Sequence, residues 1–274
     1  MTDIAEASLT TKYPLPARRR TPPRGINTEL ALIGRSLRHA TRDVESMLMA
    51  VALPVMLMLM FTFVFGGAID PSGDYVNYIV PGIILTCAGF GAASTSLSVA
   101  NDMTSGFIDR LRTMPVRSSG VITGHVVASV VKNLLATGIV FSVAVSIGFR
   151  PSADVAEWVA VIALITLYIF TITYLFAAIG LAAKSAESAN GYGFVLLFLP
   201  YVSSAFVPVE TMPGWLTWFA DNQPITPIID ALRSLLVGTS MGNSALLSVV
   251  WCVAILAISI VWTAQLFKIK AGRR

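Results

Sequence analysis

Hydrophobic and polar positions fall into long blocks. Apolar runs at about Leu48 to Phe65, Val76 to Ala100, Val121 to Gly148, Glu157 to Ala183, Gly191 to Val207 and Ser244 to Phe267 are separated by short polar stretches. A run of about 20 apolar residues, each rising about 1.5 Å, crosses a hydrocarbon core of roughly 30 Å, where the backbone has no water to bond. The pattern therefore predicts an all-α, polytopic membrane protein with six transmembrane helices. From Asn27 to Glu45 the period changes: Leu30, Ile33, Leu37 and Val44 recur at helical spacing with Arg35, Arg38, His39 and Arg42 between them. Such a helix suits the bilayer interface, its basic side on anionic head groups, or a solvated position against a partner. Before it, Pro14, Pro16, Pro22 and Pro23 surround Arg18, Arg19, Arg20 and Arg24 with no apolar run, so residues 1–25 read as a disordered basic tail rather than a secretory signal. The predicted organisation is tail 1–25, interfacial helix 26–46 and membrane domain 47–274.

Composition agrees with the pattern. The 274 residues are 55% hydrophobic and 12% charged, with mean hydropathy +0.74, against about 25% charged residues in soluble domains. The net charge of +4 does not argue for nucleic acid, because the basic residues cluster beside apolar runs rather than on a soluble face. Cys87 and Cys252 lie inside apolar runs, far apart, without metal or redox spacing. They read as packing residues.

Charge also orients the chain. Of the 19 Lys and Arg, all but Arg150, Arg233 and Lys132 fall on the side that carries the N-terminus, while Asp70, Asp74, Asp154, Glu157, Glu210, Asp221 and Asp230 fall on the other. Positively charged loops stay inside, so both termini are expected in the cytoplasm and the protein in the cell's plasma membrane. The longest external loop, about Pro208 to Asn243, places Trp215, Trp218 and Phe219 at head-group level. Pro213, Pro224 and Pro227 are expected to break it into short helices.

Catalytic chemistry is nearly missing. There is no glycine-rich Lys-Ser/Thr phosphate loop, no two-histidine metal motif, and only two histidines, His39 and His125. The sequence offers no metal site, no cofactor site and no catalytic residues, so a transporter built on it draws energy from an ion gradient or from a separate ATPase.

The loop between the second and third runs bears on that choice. It reads Asn101-Asp102-Met103-Thr104-Ser105-Gly106-Phe107-Ile108-Asp109-Arg110-Leu111-Arg112-Thr113-Met114-Pro115-Val116-Arg117. Large apolar side chains among charges suit docking into a partner's groove, and equally a loop resting on head groups. The run from Gly106 to Val116 resembles the signature loop of type-2 ABC exporter permeases. So do Phe206-Val207-Pro208-Val209-Glu210-Thr211-Met212-Pro213-Gly214-Trp215 and the later Asn222-Gln223-Pro224-Ile225-Thr226-Pro227-Ile228-Ile229-Asp230-Ala231-Leu232-Arg233. Within that family the chain is most similar to actinobacterial daunorubicin-resistance type permeases.

The resemblance implies a transmembrane subunit paired with a second permease copy or homologue and with two nucleotide-binding ATPase subunits that carry the ATP and Mg. It implies that Gly106, Phe107, Asp109, Arg110, Leu111, Arg112 and Pro115 couple to the ATPase. It also implies that an external hairpin bearing Glu210, Pro213, Trp215, Pro224, Asp230 and Arg233 covers the outer end of the path through short re-entrant helices. The cargo class it implies is a hydrophobic compound, whether drug-like molecule, lipid or glycolipid, with polysaccharide as the alternative. An ion-coupled transporter or channel is the competing reading, and a membrane enzyme a third.

Inside the spans, His125, Ser129 and Lys132 share one face of the third. They either line the path or lie low enough for Lys132 to snorkel to the phosphates. Gly82, Gly89, Gly91, Ala92, Ala93, Ser94, Ser96 and Ser98 give the second span a surface for close helix approach, within the chain or between copies. Met56, Met58 and Met60 face either cargo or lipid. Pro200 is expected to bend the fifth span.

Overall fold

The computed structural model describes residues 44–105 and 119–272, which form helices and connecting turns, with no strand among the described residues. Tail 1–25 lies outside them, as does the segment Gly106 to Ser118 with every predicted coupling residue. Of the predicted interfacial helix only Val44 to Ser46 are described, as the first turn of the next element.

Helix α1, Val44–Leu59, runs on through a π-helical segment, Met60–Phe65, and a last α turn, Gly66–Ile69. A turn follows in which Asp70 Oδ1 accepts from both the backbone N–H and the hydroxyl of Ser72. α2 is Tyr75–Thr104, α3 Ser119–Ser146 and α4 Val155–Ala182. α4 starts at a capping box: Glu157 N–H donates to Asp154 Oδ1 at 2.7 Å and Asp154 N–H to Glu157 Oε2 at 2.8 Å. α5, Ala186–Leu197, is capped similarly by Ser185 and Ser188. Two 3₁₀ turns, Leu199–Val202 and Val209–Thr211, lead to α6, Gly214–Asn222, α7, Ile225–Val237, and α8, Ser244–Gly272.

Among the described residues, five helices are long and apolar enough to span a membrane: Met47–Ile69, Tyr75–Thr104, Thr123–Ser146, Val155–Ala182 and Ser244–Leu266. The predicted fifth run, Gly191 to Val207, is not one continuous helix. α5 ends at Leu197, and its 12 residues cover only about 18 Å at about 1.5 Å each. Pro200 has no N–H for an α-helical bond and clashes with the preceding turn, so the chain tightens into the 3₁₀ turn and then leaves helical geometry. Pro213 and Pro224 do separate short helices, as N-caps of α6 and α7. Pro227 breaks nothing: it lies in the first turn of α7, where a backbone N–H has no helical partner to lose.

α2 is the hub. It packs on α1, α3, α4, α5 and α7, while α8 packs on α4 and α7. Of the most apolar stretch of α2, 72% is buried, against 17% for α1 and for α8, which lie at the periphery. Close approach explains the hub, since hydrocarbon solvent gives apolar side chains little reason to associate and packing at small residues takes over. A Cβ at Gly82 would fall 2.6 Å from that of Ala205, and one at Gly180 of α4 would fall 2.3 Å from the Ser96 carbonyl oxygen. Gly82, Gly89 and Gly91 are all buried by the chain itself, so at these positions the small-residue surface of α2 serves packing within the subunit.

Candidate functional site: a buried clamp and a polar seam

Two polar constellations stand out in this apolar frame. The first holds the break after α5. Irregular backbone is tolerated at membrane depth only where protein supplies its hydrogen bonds, and Ser203, Ser204, Ala205 and Phe206 are all buried. Their bonds come from several elements. Ser203 Oγ donates to Pro200 O at 2.6 Å and accepts from Ala205 N–H at 3.1 Å. Tyr75 of α2 donates its hydroxyl to Phe206 O at 2.6 Å, and Gln223 Nε2 donates to Val202 O at 3.1 Å.

Arg233 of α7 sits at the centre. Its Nη2 donates to Ser204 O at 2.5 Å, its Nη1 to Asp230 Oδ1 at 2.7 Å and its Nε to Tyr78 O at 3.3 Å. The guanidinium carbon lies 4.0 Å from the centroid of the Tyr78 ring, a cation–π geometry. Ser204 Oγ completes the set by donating to Asp230 Oδ1 at 2.7 Å. Arg233 is only 9% exposed, and a buried cation is tolerable because each face of it is matched. One side chain thus ties α7, the break and the Tyr75 end of α2 together.

Arg233 and Asp230 also line an open cleft of about 470 Å³ with Asp221, Thr226, Thr239, Ser240 and Asn243. The other predicted hairpin residues lie apart from the clamp. Glu210, Pro213 and Trp215 are exposed, Trp215 and Trp218 at 75% and 69%, on the one-turn helix and α6. Pro224 lines a second, apolar cavity of about 50 Å³ with Thr86, Tyr168, Phe176, Pro200 and Cys252.

The second constellation is the α2–α3 interface. At its Thr104 end, His125 Nε2 lies 2.9 Å from Asp102 Oδ2. Further along, Thr95 Oγ1 donates to Ser129 Oγ at 2.6 Å. Next, the Asn133 amide fills the notch left by Gly91, where a Cβ would fall 1.5 Å from Asn133 Oδ1. Then Thr137 lies beside Cys87, and the Cys87 thiol donates to Ala50 O of α1 at 3.4 Å. His125, Ser129, Asn133 and Thr137 follow at intervals of four, and Cys87, Gly91 and Thr95 answer them at the same interval on α2.

Of the predicted stripe, His125 and Ser129 belong to this seam, and Lys132 is covered by protein at 8% exposed. Asn133, Thr137 and Asp102 extend it. Their spacing from His125 carried the signal for α3, but nothing in the sequence gave the α2–α3 register. Among the described residues no group of three or more His, Cys, Asp or Glu converges as a metal site.

The sequence pattern of the ABC-2 type transporter family matches residues 29–237, which takes in both constellations and the segment between α2 and α3. A daunorubicin resistance ABC transporter permease protein of Streptomyces coeruleorubidus is 29% identical over 192 residues, 69% of this chain and 68% of that protein. A protein of Mycobacterium tuberculosis named as a probable doxorubicin resistance ABC transporter permease is 25% identical over 229 residues, 82% of each. A protein of Escherichia coli named as a probable multidrug ABC transporter permease is 27% identical over 191 residues, 66% of this chain and 48% of that protein.

Proposed function

The chain belongs to the ABC-2 type transporter family, and from that premise we propose that it is the permease subunit of an ATP-driven exporter that expels a hydrophobic, drug-like compound. The observation that carries the reading is the family match across 209 of 274 positions, residues 29–237, joined to two relatives named for anthracycline resistance. Lipid and glycolipid share the chemistry of such a cargo, and polysaccharide is the alternative class.

In this reading ATP is bound and hydrolysed on partner subunits. The segment between α2 and α3, with Phe107, Arg110, Leu111 and Arg112, docks on them, and closure of the ATPase dimer favours one arrangement of the helices over another. Two features support a second permease copy. The apolar cavity within this subunit, about 50 Å³, is smaller than the roughly 150 Å³ that accommodates benzene, so a polycyclic cargo needs a path elsewhere. The peripheral α1 and α8 leave large apolar faces uncovered, including Phe63, Val64, Val253 and Ile258. The short α5 and the clamped break after it make a sixth crossing, and α6 and α7 form the re-entrant hairpin at its outer end. Positive loops then place both termini in the cytoplasm of a plasma-membrane protein.

The test is co-expression with a cognate ATPase. Co-purification, and doxorubicin uptake into inverted vesicles that needs ATP and persists with a proton uncoupler, are expected. Uptake abolished by the uncoupler but indifferent to ATP would overturn the reading in favour of ion coupling. Arg110→Glu with Arg112→Glu is expected to weaken co-purification without preventing membrane insertion.

A further inference from the structure

One polar group in the seam is out of place. Asn133 is 1% exposed, deep in a membrane helix, yet neither its Oδ1 nor its Nδ2 has a hydrogen-bond partner. A buried primary amide is tolerated when paired and costly when not. Here it is held against Gly91, which has no side chain to answer it. One turn away on each helix, Thr95 and Ser129 bond to each other.

That bond is easily exchanged, because hydroxyls in a helix can fall back on a carbonyl of their own preceding turn. α2 already does so: Ser98 Oγ donates to Ser94 O at 2.9 Å and Thr86 Oγ1 to Gly82 O at 2.8 Å. Gly91 has no side chain to obstruct the move, and the Asn133 amide leaves its notch as the move begins. A shift of α3 along α2 toward Thr104, by about the 6 Å that four helical residues rise, carries the Asn133 amide to the Thr95 hydroxyl, releases Ser129 to the His125 carbonyl and parts His125 from Asp102.

We propose that the α2–α3 interface is a shear joint with two registers, the one described here, in which Asn133 is unpaired on Gly91, and a second in which it bonds Thr95. The two helices of the joint are the ones that the segment proposed to dock the ATPase connects in sequence, and to that extent the joint rests on the functional reading. It supplies the two-state element such docking must bias: one register offers closer packing, the other a satisfied amide.

Two cysteine pairs test it in membranes containing the assembled complex, each read against the same chain carrying only its own Cys87 and Cys252. Thr95→Cys with Ser129→Cys traps the present register, and Val99→Cys with Ser129→Cys, which leaves Thr95 and Asn133 free to pair, traps the second. Both disulfides are expected to form on mild oxidation, the second several-fold faster with ATP, and the first is expected to stop export until it is reduced. Asn133→Leu, which removes the need to pair, is expected to keep the fold while reducing export at least several-fold. Export at the unlocked rate with the first disulfide closed would overturn the proposal, as would a second pair that stays reduced under every nucleotide condition. Failure of the ATPase to co-purify would sink the functional reading alone, because the cross-links are read in the same membranes with or without it.

Discussion

Arg233 illustrates how a single side chain substitutes for missing secondary structure. Its three donors bond a carboxylate and two backbone carbonyls from different elements, so removing it strands Ser204 O and leaves Asp230 Oδ1 with the Ser204 hydroxyl alone. Breaking a buried, bonded charge costs about 3–5 kcal/mol. Because the Asp230 side chain is 40% exposed and water can reach it, Arg233→Met is expected at the lower end, about 3 kcal/mol. Thermal unfolding in detergent checks it, with Asp230→Asn expected to cost less. The glycines follow the same logic of what each would strike. At Gly91 an added Cβ meets only the end of a side chain, the Asn133 amide, which can swing away. At Gly180 it meets the Ser96 carbonyl and at Gly82 the backbone of Ala205, neither of which can move without its helix. Overpacking of this kind costs about 1–3 kcal/mol. Gly180→Ala and Gly82→Ala are therefore expected to lower the unfolding temperature more than Gly91→Ala, and the reverse order would contradict the packing described.

Among the elements, ends are specified locally and breaks are specified from afar. α4 begins where Asp154 and Glu157 satisfy each other's backbone, and α7 ends where Gly238 turns left-handed at φ +77°. Asp154→Ala is expected to cost about 1 kcal/mol, and Gly238→Ala about 1–2 kcal/mol because a Cβ is strained in that conformation; each is checked by the same unfolding measurement. Both signals are local, but of the features behind α1 to α4 and α8 only the long apolar runs were read from the sequence. The break after α5 was legible only as a bend at Pro200. Proline explains why the α-helix cannot continue, but the departure from helix afterwards depends on Arg233, Gln223 and Tyr75, which are 33, 23 and 125 positions from it in the chain. The seam was half legible for the same reason. Periodicity put His125 and Ser129 on one face of α3, whereas their partners Asp102 and Thr95 follow only from the helix register, which hydrophobicity does not encode.

For the molecule as a whole, the arrangement is a buried hub with sparsely covered outer helices, and its orientation is the claim most open to direct test. If the basic segments are cytoplasmic, Ser240→Cys, in the outer cleft, is expected to react with a membrane-impermeant maleimide on intact cells, and Ser188→Cys, beside Lys184, only after permeabilisation. The opposite pattern would invert the topology. The hub also has a bearing on biogenesis. Of the helices that enclose α2, only α1 precedes it in the chain, while α3, α4, α5 and α7 are synthesised afterwards. A nascent polypeptide halted before α4 therefore presents to lipid a glycine- and serine-rich helix that only α1 and α3 can cover, the kind of lesion that membrane quality-control proteases survey, so prematurely terminated forms are expected to be cleared rather than accumulate.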